Sequence, residues 1–344
     1  MEHDWVLYIA AFSTAFAIAN VMTPVAKKIS LKVGAIDYPK GRGMHSHPMP
    51  RMGGIAIFVG FMLTLFLLYR FMEHDKPEQM AGFVIGASII VVLGILDDCF
   101  NLKARVKLII QIVAAMVVVF AGIRIDVVLW PVTTVLQKFS IPITILWIVG
   151  VTNAVNLLDG LDGLAAGVSA IAALSLVVLC VLTGDEVAVV LSATLAGSCL
   201  GFLPRNFNPA QIFMGDTGST FLGFTLAVTS IMGVFKGYAF LALVVSMLSL
   251  GLPVFDTVFA IVRRFARGES IMSPDRGHLH HILIDKGFSQ KQAVMILYGI
   301  STFCGLLAIF IAMKDAKTSV VILFTVFLLS FVIYYFNNKR NDRE

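Results

Sequence analysis

Charge is what this chain lacks first. Asp, Glu, Lys and Arg make up 14% of its 344 residues, where a soluble domain carries about a quarter. With 58% hydrophobic residues and a mean hydropathy of +0.90, that scarcity excludes the pair of water-solvated domains that length alone suggests. Cysteine is also rare: Cys99, Cys180, Cys199 and Cys304 are scattered with no CxxC spacing, which excludes a disulfide framework and a cysteine zinc site. No positive charge precedes the first apolar run, which has Glu2, His3 and Asp4 before it and Lys27 and Lys28 after it. A cleaved secretory leader has the opposite flanks, so an uncleaved first span with its N-terminus outside is expected. The ten-residue alternation of a membrane barrel, internal repeats and low-complexity tracts are all missing.

What is present is a series of apolar runs near the twenty residues needed to cross a bilayer. Eleven can be placed: 5–26, 52–70, 80–96, 106–123, 141–155, 163–183, 187–203, 218–235, 238–262, 293–313 and 318–336. The fifth is the weakest, being short and containing Pro142. Because backbone polar groups must be satisfied within hydrocarbon, the runs are expected to be helices. The expected fold is all-α, a polytopic membrane protein of about 11 transmembrane helices forming one domain over residues 1–344.

The net charge of +5 does not imply nucleic acid, because the basic residues sit in short loops between apolar runs. With the N-terminus outside, 19 of the 26 Lys and Arg residues fall in inner segments and seven in outer ones. That bias is the one cytoplasmic loops carry. It places the C-terminus inside, together with five polar segments that hydropathy does not explain.

The first of these, Asp37 to Gly54, holds Arg42, His45, His47 and Arg51; a basic loop that only fixes topology is the plain alternative. The second places Asp97 and Asp98 at the end of the third run, followed by Lys103, Arg105, Lys107 and Gln111. Adjacent carboxylates at membrane depth are costly unless a metal, a proton or cations intervene; a helix-end charge paired with a lysine is the alternative. The third, NAVNLLDGLDG at 153–163, repeats Asn156, Asp159 and Asp162 every third residue, so a helical turn brings their oxygens together. It has no EF-hand pattern; its two carboxylates and the amides of Asn153 and Asn156 suit Mg²⁺, or a ribose and base, with capping as the alternative. The fourth, FMGDTGS at 213–219, presents Asp216 before a helix. That is a metal or phosphate corner or simply an N-cap. The fifth runs from Arg263 to Lys291 and holds Arg276, His278, His280 and His281; basic residues beside imidazoles suit a phosphate-rich substrate better than zinc, and a solvated loop is the alternative. Asp256, in the ninth run, reads as structural. Together the acidic set (Asp97, Asp98, Asn156, Asp159, Asp162, Asp216) and the basic set (Arg42, Arg51, Arg276, the histidines) describe a phosphoryl-transfer site.

These motifs, HSHPMPRMGG, LGILDDCFNLKARVKLIIQ, NAVNLLDGLDGLAAG, FMGDTGS, LPVFDT and DRGHLHH, cover residues 37–281 in order. They resemble the polyprenyl-phosphate N-acetylhexosamine-1-phosphate transferase family (glycosyltransferase family 4, the MraY/WecA/TagO superfamily). The HLHH at His278 to His281 is similar to the WecA/TagO branch. The resemblance implies transfer of GlcNAc-1-phosphate from UDP-GlcNAc to undecaprenyl phosphate at the cytoplasmic face of a bacterial inner membrane, giving undecaprenyl-diphospho-GlcNAc and UMP. It implies Mg²⁺, with Mn²⁺ as substitute, on Asn156 and Asp216, and Asp97, Asp98 and Asp216 as catalytic residues, Asp97 acting on the lipid phosphate with Asp98 beside it. Arg42, His45, Arg51, Lys107, Asn153, Asp159, Asp162, Arg276, His278, His280 and His281 are then expected to bind substrate. UDP-MurNAc-pentapeptide or another UDP-N-acetylhexosamine is the alternative donor. An ion-coupled transporter is a remote alternative, because its polar groups belong at the bilayer midplane. A homodimer is left open.

Overall fold

The structure is a computed structural model that describes residues 4–38, 47–72, 75–125, 138–234, 247–248, 250–266, 279–314 and 318. Its helices are α1 (Trp5–Val33), α2 (Gly54–Leu68, extended by a 3-10 turn to Phe71), α3 (Pro77–Phe100), α4 (Ala104–Phe120), α5 (Ser140–Leu158) and α6 (Leu164–Thr183). They continue with α7 (Glu186–Asn206), α8 (Gly215–Val234), α9 (Gly251–Ala266), the short α10 (Leu279–Asp285) and α11 (Gln290–Ala312). The all-α architecture expected from the apolar runs holds, with one small addition, a two-residue antiparallel pairing of β1 (Ile36–Asp37) with β2 (Met49–Pro50). Among the described residues, seven helices are long and apolar enough to cross a membrane: α1, α2 with its extension, α3, α5, α6, α7 and α11. The doubtful fifth run is therefore a full helix of 19 residues. The expected eleventh run, 318–336, lies outside the described residues apart from Thr318.

Side-chain partition follows a lipid solvent. Val6, Phe66, Phe100, Leu146 and Phe303 are large apolar groups on the outside, where hydrocarbon would solvate them. The interior is instead rich in alanine, glycine, serine and threonine, because helices surrounded by lipid associate by close packing rather than by expelling water. The crossing of α1 with α7 shows how. A β-carbon on Gly197 would lie 2.1 Å from the Phe12 carbonyl oxygen, and one on Gly201 2.3 Å from that of Phe16. These two glycines, four residues apart, let the backbones touch, and Ala11, Ala15 and Ala19 are buried on the facing helix.

The same interface repairs a defect. Pro24 lies inside α1 and has no N–H for the Asn20 carbonyl four residues earlier. Arg205 Nη1 of α7 donates to that carbonyl at 3.1 Å and to Asn20 Oδ1 at 3.2 Å. A proline in one span is thus paired with an arginine in another.

α8 sits at the centre, packed on α2, α3, α5, α6 and α7. It is absent from the seven apolar helices above but is buried along nearly its whole length, so neighbouring protein rather than lipid surrounds its threonines and glycines.

Candidate active site

The site is organised by the first turn of α8. The segment before it is clamped as a strand would be: Phe213 N donates to Pro50 O at 2.8 Å, Gly53 N to Phe213 O at 2.9 Å and Gly54 N to Met214 O at 2.8 Å. The chain then turns through Gly215, whose φ of 71° favours glycine. Gly94 of α3 and Gly54 of α2 approach the backbone of Thr217 and Gly218 so closely that a β-carbon on either would collide with it.

Asp98, in the last turn of α3, faces this helix start. Its Oδ1 accepts from Asp216 N at 3.0 Å, and its Oδ2 accepts from Thr217 N at 3.1 Å and Thr217 Oγ1 at 2.6 Å. Arg51 adds Nε at 3.1 Å and Nη2 at 3.0 Å, both to Oδ1. Burial alone would lower the pKa of the Arg51 guanidinium, but Asp98, with Asp216 and Asp37, raises it. The anion that the sequence placed at the α8 N-terminus is therefore a carboxylate of the protein itself.

Asp97 points elsewhere. Successive helix residues differ by about 100° in direction, so the adjacent carboxylates serve different neighbours. Asp97 Oδ1 accepts from Leu102 N at 2.7 Å, and Lys107 Nζ bridges Asp97 Oδ2 at 2.9 Å and Asp216 Oδ2 at 2.7 Å. Across from them, Asn156 Oδ1, near the end of α5, accepts from Ser219 Oγ of α8 at 2.6 Å. Asn153, expected to bind substrate, has protein partners: its amide donates to Gln111 Oε1 at 2.6 Å and Val149 O at 2.8 Å, joining α4 to α5. Asn153 is thereby occupied by protein partners.

The turn between α5 and α6 forms the facing wall. Asp162 Oδ2 accepts from Asn208 Nδ2 at 3.0 Å and Ala210 N at 3.1 Å, Asn208 also reaches Gln290 Oε1 at 2.6 Å, and Tyr298 OH donates to Gly163 O at 2.6 Å. Asp162 thus braces the loop that leads into α8. Gly160 lies against the buried His280 ring, where a β-carbon would sit 2.5 Å from Nε2. The His281 ring lies beside that of His280, centroids 4.2 Å apart and planes tilted by 41°, and Leu279 N of α10 donates to Asp256 Oδ1 at 2.9 Å. Asn208, Gln290, Ser219, Thr217 and Asp256 escaped the sequence reading as contributors to the site. Their partners are 23 to 119 residues away, beyond any local spacing rule. Arg42, His45, Arg276 and His278 lie outside the described residues.

A cavity of about 320 Å³ opens between these walls, lined by Asp37, Arg51, Asp159, Gly160, Asp162, Asn206, Phe213, Gly215, Asp216 and Gln290. A second, about 220 Å³, lies between Tyr69, Lys76, Asp185 and Met232 at the far ends of the same helices and holds none of the expected site residues.

Asp159, on the cavity floor, has its pKa raised from 3.8 to about 7 by burial, reinforced by Asp216, Asp98 and Asp162. A carboxyl whose pKa is higher in the folded state favours folding while protonated, and that advantage is lost as pH rises from about 4 to about 7. In chelator-treated protein, Asp159→Asn should therefore raise the melting temperature relative to the parent more at pH 8 than at pH 5. An equal change at both pH values would show that Asp159 does not carry this strain.

Residues 80–234 match the model of glycosyl transferase family 4, a stretch that spans Asp97 to Asp216. The chain is 38% identical over its whole length, and over 96% of the relative's, to the Bacillus subtilis protein named "Probable undecaprenyl-phosphate N-acetylglucosaminyl 1-phosphate transferase". It is 37% identical to the decaprenyl-phosphate N-acetylglucosaminephosphotransferase of Mycobacterium tuberculosis, covering 88% of this chain and 82% of the relative. It is 28% identical to the undecaprenyl-phosphate alpha-N-acetylglucosaminyl 1-phosphate transferase of Yersinia pestis, covering 97% and 90%. The motifs that pointed to phosphoryl transfer thus stand in a chain that aligns with these enzymes almost end to end, and it belongs to glycosyl transferase family 4 as a membrane-embedded transferase.

Proposed function

We propose that the protein transfers GlcNAc-1-phosphate from UDP-GlcNAc to undecaprenyl phosphate. An oxygen of the lipid phosphate bonds to the β-phosphorus of the donor, the bond from that phosphorus to the UMP oxygen breaks, and UMP leaves. One phosphoanhydride replaces another, so the step is readily reversible. The observation that carries the reading is the ammonium of Lys107 held between Asp97 and Asp216, with Asp216 and Arg51 also lining the cavity. Cation and carboxylate side by side are what a phosphate acceptor and a diphosphate donor both require.

Among the described residues, no group of three or more His, Cys, Asp or Glu is arranged to hold a metal. Mg²⁺ needs no such cage, since it keeps several waters and takes substrate phosphates with one or two protein oxygens. Asn156 and Asp216 suit that pattern: Ser219, three residues past Asp216 on α8, donates to Asn156 Oδ1, whose second lone pair is left for the ion. When bound there, Mg²⁺ would neutralise the donor's diphosphate. Asp97 orients or deprotonates the lipid phosphate. Lys107 and Arg51 contact phosphate oxygens, and Asp159, His280 and His281 serve the sugar and nucleotide. The same reading puts the site and the C-terminus on the cytoplasmic side of a bacterial inner membrane and the N-terminus outside, with eleven spans in all. The bias of lysine and arginine supports it.

The test is purified protein with undecaprenyl phosphate and a panel of UDP-sugars, following UMP release. UDP-GlcNAc should be turned over and UDP-MurNAc-pentapeptide rejected, since a pocket that hydrogen-bonds sugar hydroxyls penalises a misfit strongly. Comparable rates with both donors would move the protein to the peptidoglycan branch.

A further inference from the structure

We propose that Asp98 takes no part in the reaction and is a positioning residue that fixes the direction of Asp216. This departs from the expectation that Asp98 is catalytic alongside Asp97, and it rests on the reading of Asp216 as a metal holder given above. A carboxylate has about four lone-pair sites. Asp98 already faces five donor atoms, two on Arg51, the backbone N–H groups of Asp216 and Thr217, and the Thr217 hydroxyl. Its side chain is 0% exposed, and these donors leave it no free lone pair for a substrate. Asp97, whose side chain is 3% exposed, meets two donors among the described residues, Leu102 N and Lys107 Nζ, which leaves it lone pairs to offer.

The consequence falls on α8. A helix begins with unpaired N–H groups that draw anions. Asp98 occupies those of Asp216 and Thr217, which ties the peptide carrying Asp216 to α3 and leaves the donor's phosphates to Lys107 and Arg51. Gly215 makes the capture sterically possible, since a β-carbon there would lie 2.5 and 2.8 Å from the two Asp98 oxygens. Arg51 joins the β2 side to the same carboxylate, so one buried charge holds three segments in register.

Asp98→Asn keeps the shape but turns an NH₂ group toward N–H and guanidinium donors, so the α8 start should loosen. Two readouts separate positioning from chemistry. Hydrogen exchange of the peptide holding Asp216 and Thr217 should accelerate at least about tenfold, and Mn²⁺ affinity, read by electron paramagnetic resonance, should fall about tenfold to a hundredfold, as when groups that orient a metal ligand are removed. kcat should fall with them, while KM for UDP-GlcNAc stays within about threefold. Thr217→Val should give a weaker version of each change and add little in the Asp98→Asn background, because both act through one contact. Unchanged exchange in Asp98→Asn, or a raised donor KM with parental Mn²⁺ affinity, would overturn the proposal. Asp216→Asn is the control for the underlying reading: if it keeps parental Mn²⁺ affinity, the metal assignment fails, and hydrogen exchange alone decides the role of Asp98.

Discussion

Asp216→Asn is expected to cut turnover at least about a hundredfold, because in the proposed reaction both metal-assisted charge stabilisation and placement of the donor diphosphate rest on that carboxylate. The substitution changes charge and hardly changes shape. Its backbone N–H still reaches Asp98, so the first turn of α8 should survive and the variant should melt close to the parent. Lys107 then loses one of two anionic partners and remains with Asp97. The Mg²⁺ concentration for half-maximal rate should rise steeply. Asp97→Asn provides the contrast: a similar fall in rate with Mg²⁺ half-saturation near the parental value, since Lys107 and Asp216 remain together. UMP release against Mg²⁺ titration checks both. Near-parental rates for either variant would remove that residue from the reaction.

Gly197→Leu should produce the largest loss of folded protein. Its side chain has no space to enter, because the β-carbon alone would lie 2.1 Å from the Phe12 carbonyl oxygen and 2.9 Å from its carbon. The obstacle is backbone, which cannot rotate aside. Overpacking of a well-filled core usually costs about 1–3 kcal/mol; here α1 and α7 must separate along their length, and the Arg205 contact with Asn20 goes with them. The measurement is the fraction of monodisperse protein after detergent extraction, with the melting temperature. Gly150→Leu is the control, since nothing lies within 4 Å of a β-carbon there. Equal behaviour of the two variants would mean that the crossing does not depend on close backbone contact.

How much of this was legible before the structure depends on the kind of residue. Asp97, Asn156, Asp159 and Asp216 stand out because ionisable and amide groups beside apolar runs are costly, and the sequence reading placed them in one site. Helix positions were legible for the same reason in reverse: long apolar runs have few alternatives in hydrocarbon. Gly197 and Gly201 were not singled out, because glycine is common in membrane helices and its partner on α1 is 185 residues away. The division of labour between Asp97 and Asp98 was also hidden. Two adjacent carboxylates look equivalent in sequence, and only the position of the α8 N-terminus distinguishes them. Asn153 and Asp162 read as ligand-binding groups by spacing, which gave no sign of their protein partners, Gln111 for Asn153 and Asn208 for Asp162, and Asp162 also lines the cavity. Spacing locates a polar side chain on a helix face, but what meets that face depends on distant segments.

The burial of α8 bears on how the protein is made. A nascent helix that leaves the insertion machinery on its own must partition into lipid by its own apolarity, and the Gly, Thr and Ser content of α8 weakens that preference. Its neighbours supply what lipid does not, since α2, α3, α5, α6 and α7 all precede it in the chain and surround it in the fold. Membrane integration of α8 should therefore be cooperative, with the earlier helices forming the receptacle into which the later one is delivered. A lesion in α2 or α3 would then act at synthesis, by leaving α8 stranded outside the bilayer, before any question of turnover arises.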